Sequence, residues 1–231
     1  MVVPIFSVII PAHNEEHYIA HTLYSVLRQN FKDFEVIVVA NGCNDKTKQV
    51  VESINSSKIK LISVYEANVS KARNKGASYA SGKFLFFLDA DTRLNPDVLR
   101  KVYQQFAVRH SVATVLAKPD VTGVKYSMVT GFKNFFHTAG VYRGCSGALV
   151  CRRSDFNEVG GYNPNLKVRE HRDLILKLDS LGNYTCIDAG VKTSMRRYQE
   201  WGLSKAAVFW VDKVFKGGFE KLYDVEYEKV R

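Results

Sequence analysis

Short apolar segments alternate with amphipathic segments through the first half of this 231-residue chain. Four of the apolar segments are rich in β-branched and aromatic residues, and their length and composition predict strands. They are residues 5–10, 34–40, 61–64 and 84–88. Strands that alternate with helices form βαβ units, and strands that are apolar throughout fit a sheet covered on both faces. The sequence therefore predicts an α/β fold with a mainly parallel central sheet flanked by helices.

Helix signals lie between these strands and continue to the end of the chain. Asn14 is predicted to start the first helix, with acidic residues in its first turn. Asn95 is predicted to cap another, with Pro96 at its first position. Further elements are expected at 68–80 (helix), 124–139 (helix), 145–150 (strand), 170–181 (helix), 184–187 (strand) and from Leu203 (amphipathic helix). We expect one domain over residues 1–202 and a C-terminal amphipathic appendage over residues 203–231.

Composition and charge narrow the class of protein. No run of about eighteen apolar residues is present, which argues against a membrane-spanning helix. The first residues read as a strand rather than a signal peptide. The spacing of the four cysteines matches neither a zinc site nor a dense disulfide framework, which favours reduced thiols and a cytoplasmic protein. The net charge of +10 suits an anionic partner such as nucleic acid, an acidic membrane surface or a phosphorylated substrate.

Polar residues follow each of the four predicted strands at its carboxyl end. They are Pro11 to Glu15, Asn41 to Asp45, Glu66, and the triplet Asp89-Ala90-Asp91. In open parallel sheets, ligands bind beyond the carboxyl ends of the strands. The sequence therefore predicts a binding site at this edge of the sheet.

Asp89 and Asp91 are the most informative residues at this edge. Two neighbouring carboxylates repel each other unless a cation lies beside them, and Mg²⁺ is commonly held by one or two carboxylates together with substrate phosphates. The pair therefore predicts a metal–diphosphate site, with a solvated turn as the alternative. The chain has neither GxGxxG after the first strand nor a P-loop motif, which disfavours those nucleotide sites. Arg73 is a candidate for a phosphate or ribose contact, or a plain surface arginine.

Six segments together resemble the family 2 glycosyltransferases. They are FSVIIPAHNEE, VIVVANGCNDKT, VSKARNKGASYASGKFLFFLDADT, GCSGALVCRRSDFNEVGGYN, REHRDLILKLDSLG and TSMRRYQEWG. The resemblance extends over about residues 5–202. It implies a GT-A fold, in which a Rossmann-like nucleotide-binding half joins an acceptor-side half. It also implies an enzyme that moves a sugar from a nucleotide diphosphate to an acceptor hydroxyl, usually with inversion.

The resemblance implies roles for individual residues around a nucleotide-sugar. The residues expected to line it are Pro11, Ala12, Asn14, Glu15, Asn41, Arg73, Asp89, Ala90, Asp91, Arg196 and Arg197. Within this set, Asn41 is expected to meet the base, and Asp91 to bind Mg²⁺ or Mn²⁺. Asp89 is expected to contact the ribose or the metal. For Arg196 and Arg197, binding of a phosphorylated acceptor and a solvated basic face are the alternatives.

Two positions depart from the family's usual pattern. The second strand usually ends in Asp-Asp or Asp-x but ends here in Ala40-Asn41, which leaves the choice between UDP- and GDP-sugars open. The family's Glu-Asp pair, whose Asp is the general base in many members, is Glu170-His171 here. We favour Glu170 as the base because it keeps an acidic group, with His171 and Asp173 as the other candidates.

The acceptor is less constrained by these motifs. Aromatic and basic residues over 124–143 and in the helix from Leu203 favour a carbohydrate, polyprenyl or glycolipid acceptor, with peripheral contact at the cytoplasmic face of a membrane. Packing of these aromatics in the core is the alternative. A nucleotidylyltransferase, a nucleic-acid-binding protein and a non-catalytic sugar-nucleotide binder are the competing functions. We favour a metal-dependent, inverting hexosyltransferase that acts on an acceptor hydroxyl or a lipid phosphate and has no nucleic-acid partner.

Overall fold

A computed structural model describes residues 3–166 and 168–215. Within these residues, eight strands form one sheet in the order β3-β2-β1-β4-β7-β6-β8-β5. The strands are β1 (Phe6–Ala12), β2 (Phe34–Asn41), β3 (Ile59–Val64), β4 (Phe84–Leu88), β5 (Arg93–Leu94), β6 (His110–Pro119), β7 (Ala148–Arg152) and β8 (Asn183–Thr193). The helices are α1 (Ile19–Leu27), α2 (Thr47–Glu52), α3 (Val69–Ser78), α4 (Val98–Gln105), α5 (Val124–Thr138), α6 (Arg153–Glu158), α7 (Glu170–Asp179) and α8 (Arg196–Phe215).

The sheet combines a parallel half with a mixed half. Strands β1 to β4 pair in parallel, and their side chains are buried on both faces in β1, in β4 and over most of β2. In the mixed half, β7 runs antiparallel to both β4 and β6, whereas β8 runs parallel to β6. The predicted mainly parallel sheet and its first four strands are confirmed. Strand β6 was missed, although the run SVATVLA has the β-branched, apolar composition of a strand.

Two predicted helix starts are wrong. The helix after β1 begins at Ile19, because Asn14 adopts a φ of 55° and its side chain accepts a hydrogen bond from the Asn44 N–H. Asparagine tolerates this left-handed conformation better than most residues. Helix α4 begins at Val98 after Asp97 rather than at Pro96. In contrast, Asn68 caps α3 by accepting a hydrogen bond from the Lys71 N–H.

The predicted boundary at residues 202 and 203 falls inside α8. Gly202, with a φ of 73°, interrupts the helical geometry between the two parts of this element. Residues 216–231 of the predicted appendage lie outside the described residues. In the part of the chain that the structure describes, no helix is long and apolar enough to cross a membrane.

Close packing of α3 on β1 sets the position of Arg73 relative to the sheet. Gly76 lies so near β1 that a Cβ atom on it would be 2.4 Å from Ile9 Cγ2. A larger residue would therefore push α3 away from the sheet. Arg73 lies one turn earlier on the same helix. The short distance between α3 and β1 that Gly76 permits therefore also determines how deeply the Arg73 side chain is buried.

We predict that Gly76→Ala lowers the free energy of unfolding by about 1–3 kcal/mol, because the added methyl group overlaps β1. The matched control is Gly131→Ala in α5, where a Cβ would meet no atom within 4 Å. This control should gain up to about 1 kcal/mol from helix propensity. Urea denaturation of both variants measures the difference. Equal stabilisation by the two changes would contradict the close packing.

Candidate active site

The carboxyl ends of β1, β2 and β3 enclose a cleft. It has a volume of about 390 Å³ and is lined by His13, Gly42, Cys43, Asn44, Lys48, Val64, Tyr65 and Ala67. Asn41 lies buried beside it, where its side-chain amide donates a hydrogen bond of 2.9 Å to the Ala12 carbonyl. The His13 Nδ1 donates one of 2.7 Å to the Asn41 carbonyl. His13, Gly42, Cys43 and Asn44 belong to the strand ends at which the sequence predicts a binding site, whereas Lys48 and Tyr65 were not predicted.

The loops after β1 and β2 are tied to each other by side-chain contacts. Asn14 binds the Asn44 N–H at 2.7 Å, and the Glu15 N–H donates to Thr47 Oγ1 at 2.8 Å. These contacts hold the backbone around Glu15, so its carboxylate is directed towards the region that follows β4. Pro11 and Ala12, the other predicted residues of this loop, are the buried end of β1.

Arg73 lies buried beneath the end of β4, with 3% of its side chain exposed. Its two terminal nitrogens bind different carboxylates: Nη2 is 2.8 Å from Asp89 Oδ1, and Nη1 is 2.9 Å from Glu170 Oε1. The guanidinium carbon also lies 5.2 Å from the centre of the Tyr162 ring. Arg73 is therefore not a surface arginine. It joins α3, the end of β4 and the start of α7.

The backbone and charge around Asp89 are fixed from several sides. Its N–H donates a hydrogen bond of 2.9 Å to the Gly147 carbonyl, which precedes β7. Burial alone would raise the pKa of Asp89, but the neighbouring His171 imidazole and Arg73 guanidinium outweigh it and lower the pKa to about 2. Asp89 is thus an ionised carboxylate that already pairs with a positive group of the protein, Arg73.

Asp91 shares one guanidinium with Glu15. Arg196 binds both oxygens of Glu15, at 2.8 and 2.6 Å, and lies 3.2 Å from Asp91 Oδ2. It also stacks over the Tyr18 ring at 4.7 Å. Burial and the nearby Asp89 and Glu15 raise the pKa of Asp91 to about 7, against the lowering effect of Arg196. Three carboxylates thus converge on a region with too little positive charge.

The loop of Asp91 is held rigidly against α1. Thr22 Oγ1 donates a hydrogen bond of 2.7 Å to the carbonyl of Ala90, which is itself buried. Beside this loop, a smaller pocket of about 200 Å³ is lined in part by Tyr18, Asp91 and Asp120. The guanidinium carbon of Arg197 lies 5.2 Å from the centre of the Trp201 ring.

The residues around Asp91 fit a divalent cation that is also held by substrate. Among the described residues, no group of three or more His, Cys, Asp or Glu side chains could hold a metal ion by itself. Magnesium and manganese, however, need only one or two protein carboxylates when phosphate oxygens complete their shell. Asp91 is a carboxylate of this kind, whereas Asp89 is bound to Arg73. The charge deficit around Asp91 is what a divalent ion would relieve.

The candidate bases lie at the start of α7. Glu170 is buried, with 7% of its surface exposed, and its carboxylate binds Arg73. A hydrogen bond of 2.9 Å joins His171 Nδ1 to the Tyr162 hydroxyl, and His171 Nε2 lies 3.8 Å from Asp89 Oδ1. Asp173 forms an ion pair with Lys177 one turn along the helix. His171 is therefore the candidate that lies next to Asp89.

Comparison with known proteins identifies the family of this chain. The family model for glycosyl transferase family 2 matches residues 7–197. The chain belongs to this family. The match covers all the elements that build the site, from β1 to the first turn of α8.

Curated relatives match up to about half of the chain. Poly(ribitol-phosphate) beta-N-acetylglucosaminyltransferase TarS of Staphylococcus aureus is 33% identical over 123 residues, which are 51% of this chain and 22% of that protein. UDP-Glc:alpha-D-GlcNAc-diphosphoundecaprenol beta-1,3-glucosyltransferase WfgD of Escherichia coli is 38% identical over 86 residues, which are 37% of this chain and 34% of that protein. The chain thus matches only about a fifth to a third of each relative's length.

Solved structures show the same fold. A TarS fragment in complex with UDP-GlcNAc has a TM-score of 0.66 at 22% identity, covering 82% of this chain and 58% of that one. Mannosyltransferase PcManGT from Pyrobaculum calidifontis, in complex with GDP-Man and Mn²⁺, has a TM-score of 0.74 at 18% identity, covering 95% of this chain and 66% of that one. The expected GT-A fold is confirmed by these likenesses.

We predict that Arg196→Gln tightens Mn²⁺ binding in the absence of nucleotide by roughly tenfold, because a guanidinium 3.2 Å from Asp91 competes with the metal. Arg197→Gln is the matched control, since it removes the adjacent positive charge but not the contact with Asp91. Calorimetric titration of the nucleotide-free protein measures both. Identical affinities in the two variants would show that Arg196 does not occupy the cation's place.

Proposed function

We propose that the protein transfers a hexose from a UDP- or GDP-sugar to an acceptor hydroxyl with inversion, assisted by Mg²⁺ or Mn²⁺. The observation that carries this proposal is that one loop joins the two parts of the site: the loop that lines the cleft with His13 also carries Glu15, which shares Arg196 with Asp91. A cleft beside a charged strand end suits a nucleoside followed by its diphosphate. The bound UDP-GlcNAc and GDP-Man named for TarS and PcManGT support the two donor classes.

The proposed donor pose places the leaving group at Asp91. A divalent ion held there, when bound, would neutralise the charge that develops on the diphosphate. Arg196 would turn from Asp91 towards a phosphate, where its planar guanidinium can bind two oxygens. Arg73 would keep Asp89 in place without leaving its buried position.

For the general base, the contacts shift our proposal from Glu170 to His171. A base must accept a proton from the acceptor hydroxyl within hydrogen-bond reach. Protonating Glu170 would break its buried ion pair with Arg73, which is costly. The Tyr162 hydroxyl orients His171 at Nδ1, and Nε2, which is buried and has no hydrogen-bond partner among the described residues, would take the proton from an acceptor that reaches it. The resulting imidazolium would lie 3.8 Å from the Asp89 carboxylate, which would stabilise it.

We predict that His171→Ala lowers kcat by about 10²–10⁴-fold while donor affinity stays unchanged, because only the proton acceptor is lost. His171→Asp should recover part of this loss by restoring a base at the same position. Glu170→Gln serves as the comparison and should mainly lower the melting temperature, because it weakens a buried ion pair. If Glu170→Gln instead abolished kcat at unchanged donor affinity and stability, Glu170 would be the base.

The acceptor that we propose is a carbohydrate, free or carried by a polyprenyl or other lipid, met at the cytoplasmic face of a membrane. Two relatives support an acceptor that carries phosphate. The name of WfgD includes a diphosphoundecaprenol, and the name of TarS includes a poly(ribitol phosphate). The open basic and aromatic surface described below supports a lipid carrier. A non-catalytic sugar-nucleotide binder is the competing function, because His171 replaces the family's usual carboxylate.

A donor panel tests the proposed function. We predict that one of UDP-Glc, UDP-GlcNAc and GDP-Man, at about one hundred times its Kd, raises the melting temperature by several degrees in the presence of Mn²⁺. The same donor should be hydrolysed slowly without acceptor. No shift with any nucleotide-sugar would overturn the proposal, whereas a shift without hydrolysis or transfer would favour the non-catalytic binder.

A further inference from the structure

Helix α5 carries apolar side chains on a face that no part of the described chain covers. Val124, Met128, Phe132 and Phe135 recur at helical spacing and are 78%, 69%, 67% and 66% exposed. Phe132 and Phe135 both contact the ring of Phe136, with ring centres 4.6 and 5.6 Å away. Large apolar groups clustered in this way are unusual on the surface of a monomeric protein and mark a contact surface.

The opposite face of α5 is firmly attached, so the exposed aromatics are not an unformed core. Tyr126, Thr130 and His137 are buried. Asn134 binds both the N–H and the carbonyl of Ala117 in β6, at 2.9 and 2.8 Å. The helix therefore holds its outer face in a fixed orientation.

The charged side chains of this helix are of one sign. Helix α5 carries Lys125 and Lys133 but no aspartate or glutamate. Two basic residues farther along the chain, Arg143 and Arg152, already pair with Asp179 and Asp155. A second copy of this chain would oppose like charges, which disfavours self-association through α5. An apolar stripe flanked by basic residues is typical of helices that lie in the plane of an anionic lipid surface.

Both ends of α5 lead to the catalytic centre. The segment before it contains Asp120, which lines a pocket together with Asp91 and accepts a hydrogen bond from the Met195 N–H. The loop after it ends at Gly147, whose carbonyl accepts the N–H of Asp89. A lipid surface in contact with α5 would thus lie next to the acceptor side of the site.

We propose that the exposed face of α5 docks on an anionic phospholipid surface, with Phe132 and Phe135 inserted at the boundary between headgroups and acyl chains. The docking rests on the proposed function in one respect: its purpose would be to bring the site to a lipid-carried acceptor. Binding itself needs neither donor nor turnover, so the two proposals can fail separately.

Vesicle flotation of the full chain tests the docking. The protein should float with vesicles of phosphatidylcholine containing about a third phosphatidylglycerol and stay behind with pure phosphatidylcholine. The double substitution Phe132→Ser/Phe135→Ser should reduce binding by at least about tenfold. Tyr24→Ser/Tyr103→Ser, which removes two exposed aromatics from α1 and α4, is the matched control and should bind like the unchanged chain.

The alternatives give distinct results. No flotation with anionic vesicles, or equal flotation of the Phe132/Phe135 variant, would overturn the docking. A dimer seen by light scattering that this variant abolishes, with no vesicle binding, would assign the face to a second copy. Hydrolysis of the soluble donor should be unchanged in the variant, and the same circular dichroism spectrum would show that it folds.

Discussion

The buried guanidinium of Arg73 is the contact on which the arrangement of the site depends. It binds Asp89 after β4 and Glu170 at the start of α7, and these carboxylates lie 16 and 97 residues away in the chain. A buried charge is tolerated only when it is paired and hydrogen-bonded. The two carboxylates therefore both depend on Arg73 for a positive partner. The end of β4 and the start of α7 are joined through this network.

The second charge cluster has a different character. Glu15 and Asp91 share Arg196, which comes from the first turn of α8, while Asp89 adds further negative potential. Both clusters have one guanidinium for two carboxylates, but the second also lies beside a pocket that Asp91 lines. The contrast separates two aspartates that look alike in the sequence. Against the effect of burial, His171 and Arg73 lower the pKa of Asp89, whereas burial raises the pKa of Asp91, and we propose Asp91 as the residue that meets a cation.

The sequence predicted the fold well where the signal is local. The strands β1 to β4 follow from apolar runs, and their polar ends follow from the rule for parallel sheets. The start of α1 was wrong because Asn14 uses its side chain for a contact with Asn44, 30 residues away. No local pattern pairs Arg73 with Glu170 or turns the amide of Asn41 towards Ala12. The family resemblance named these residues, but their contacts depend on the tertiary structure.

The central claim is that Asp91 binds a cation that in turn holds the nucleotide diphosphate. The direct measurement is calorimetric titration with UDP or GDP, with and without Mn²⁺, for the unchanged chain, Asp91→Asn and the control Asp97→Asn, whose exposed carboxylate pairs with Lys101. The account predicts that Mn²⁺ tightens nucleotide binding at least about tenfold in the unchanged chain and in Asp97→Asn, but hardly in Asp91→Asn. An equal effect of Mn²⁺ in all three proteins would contradict it.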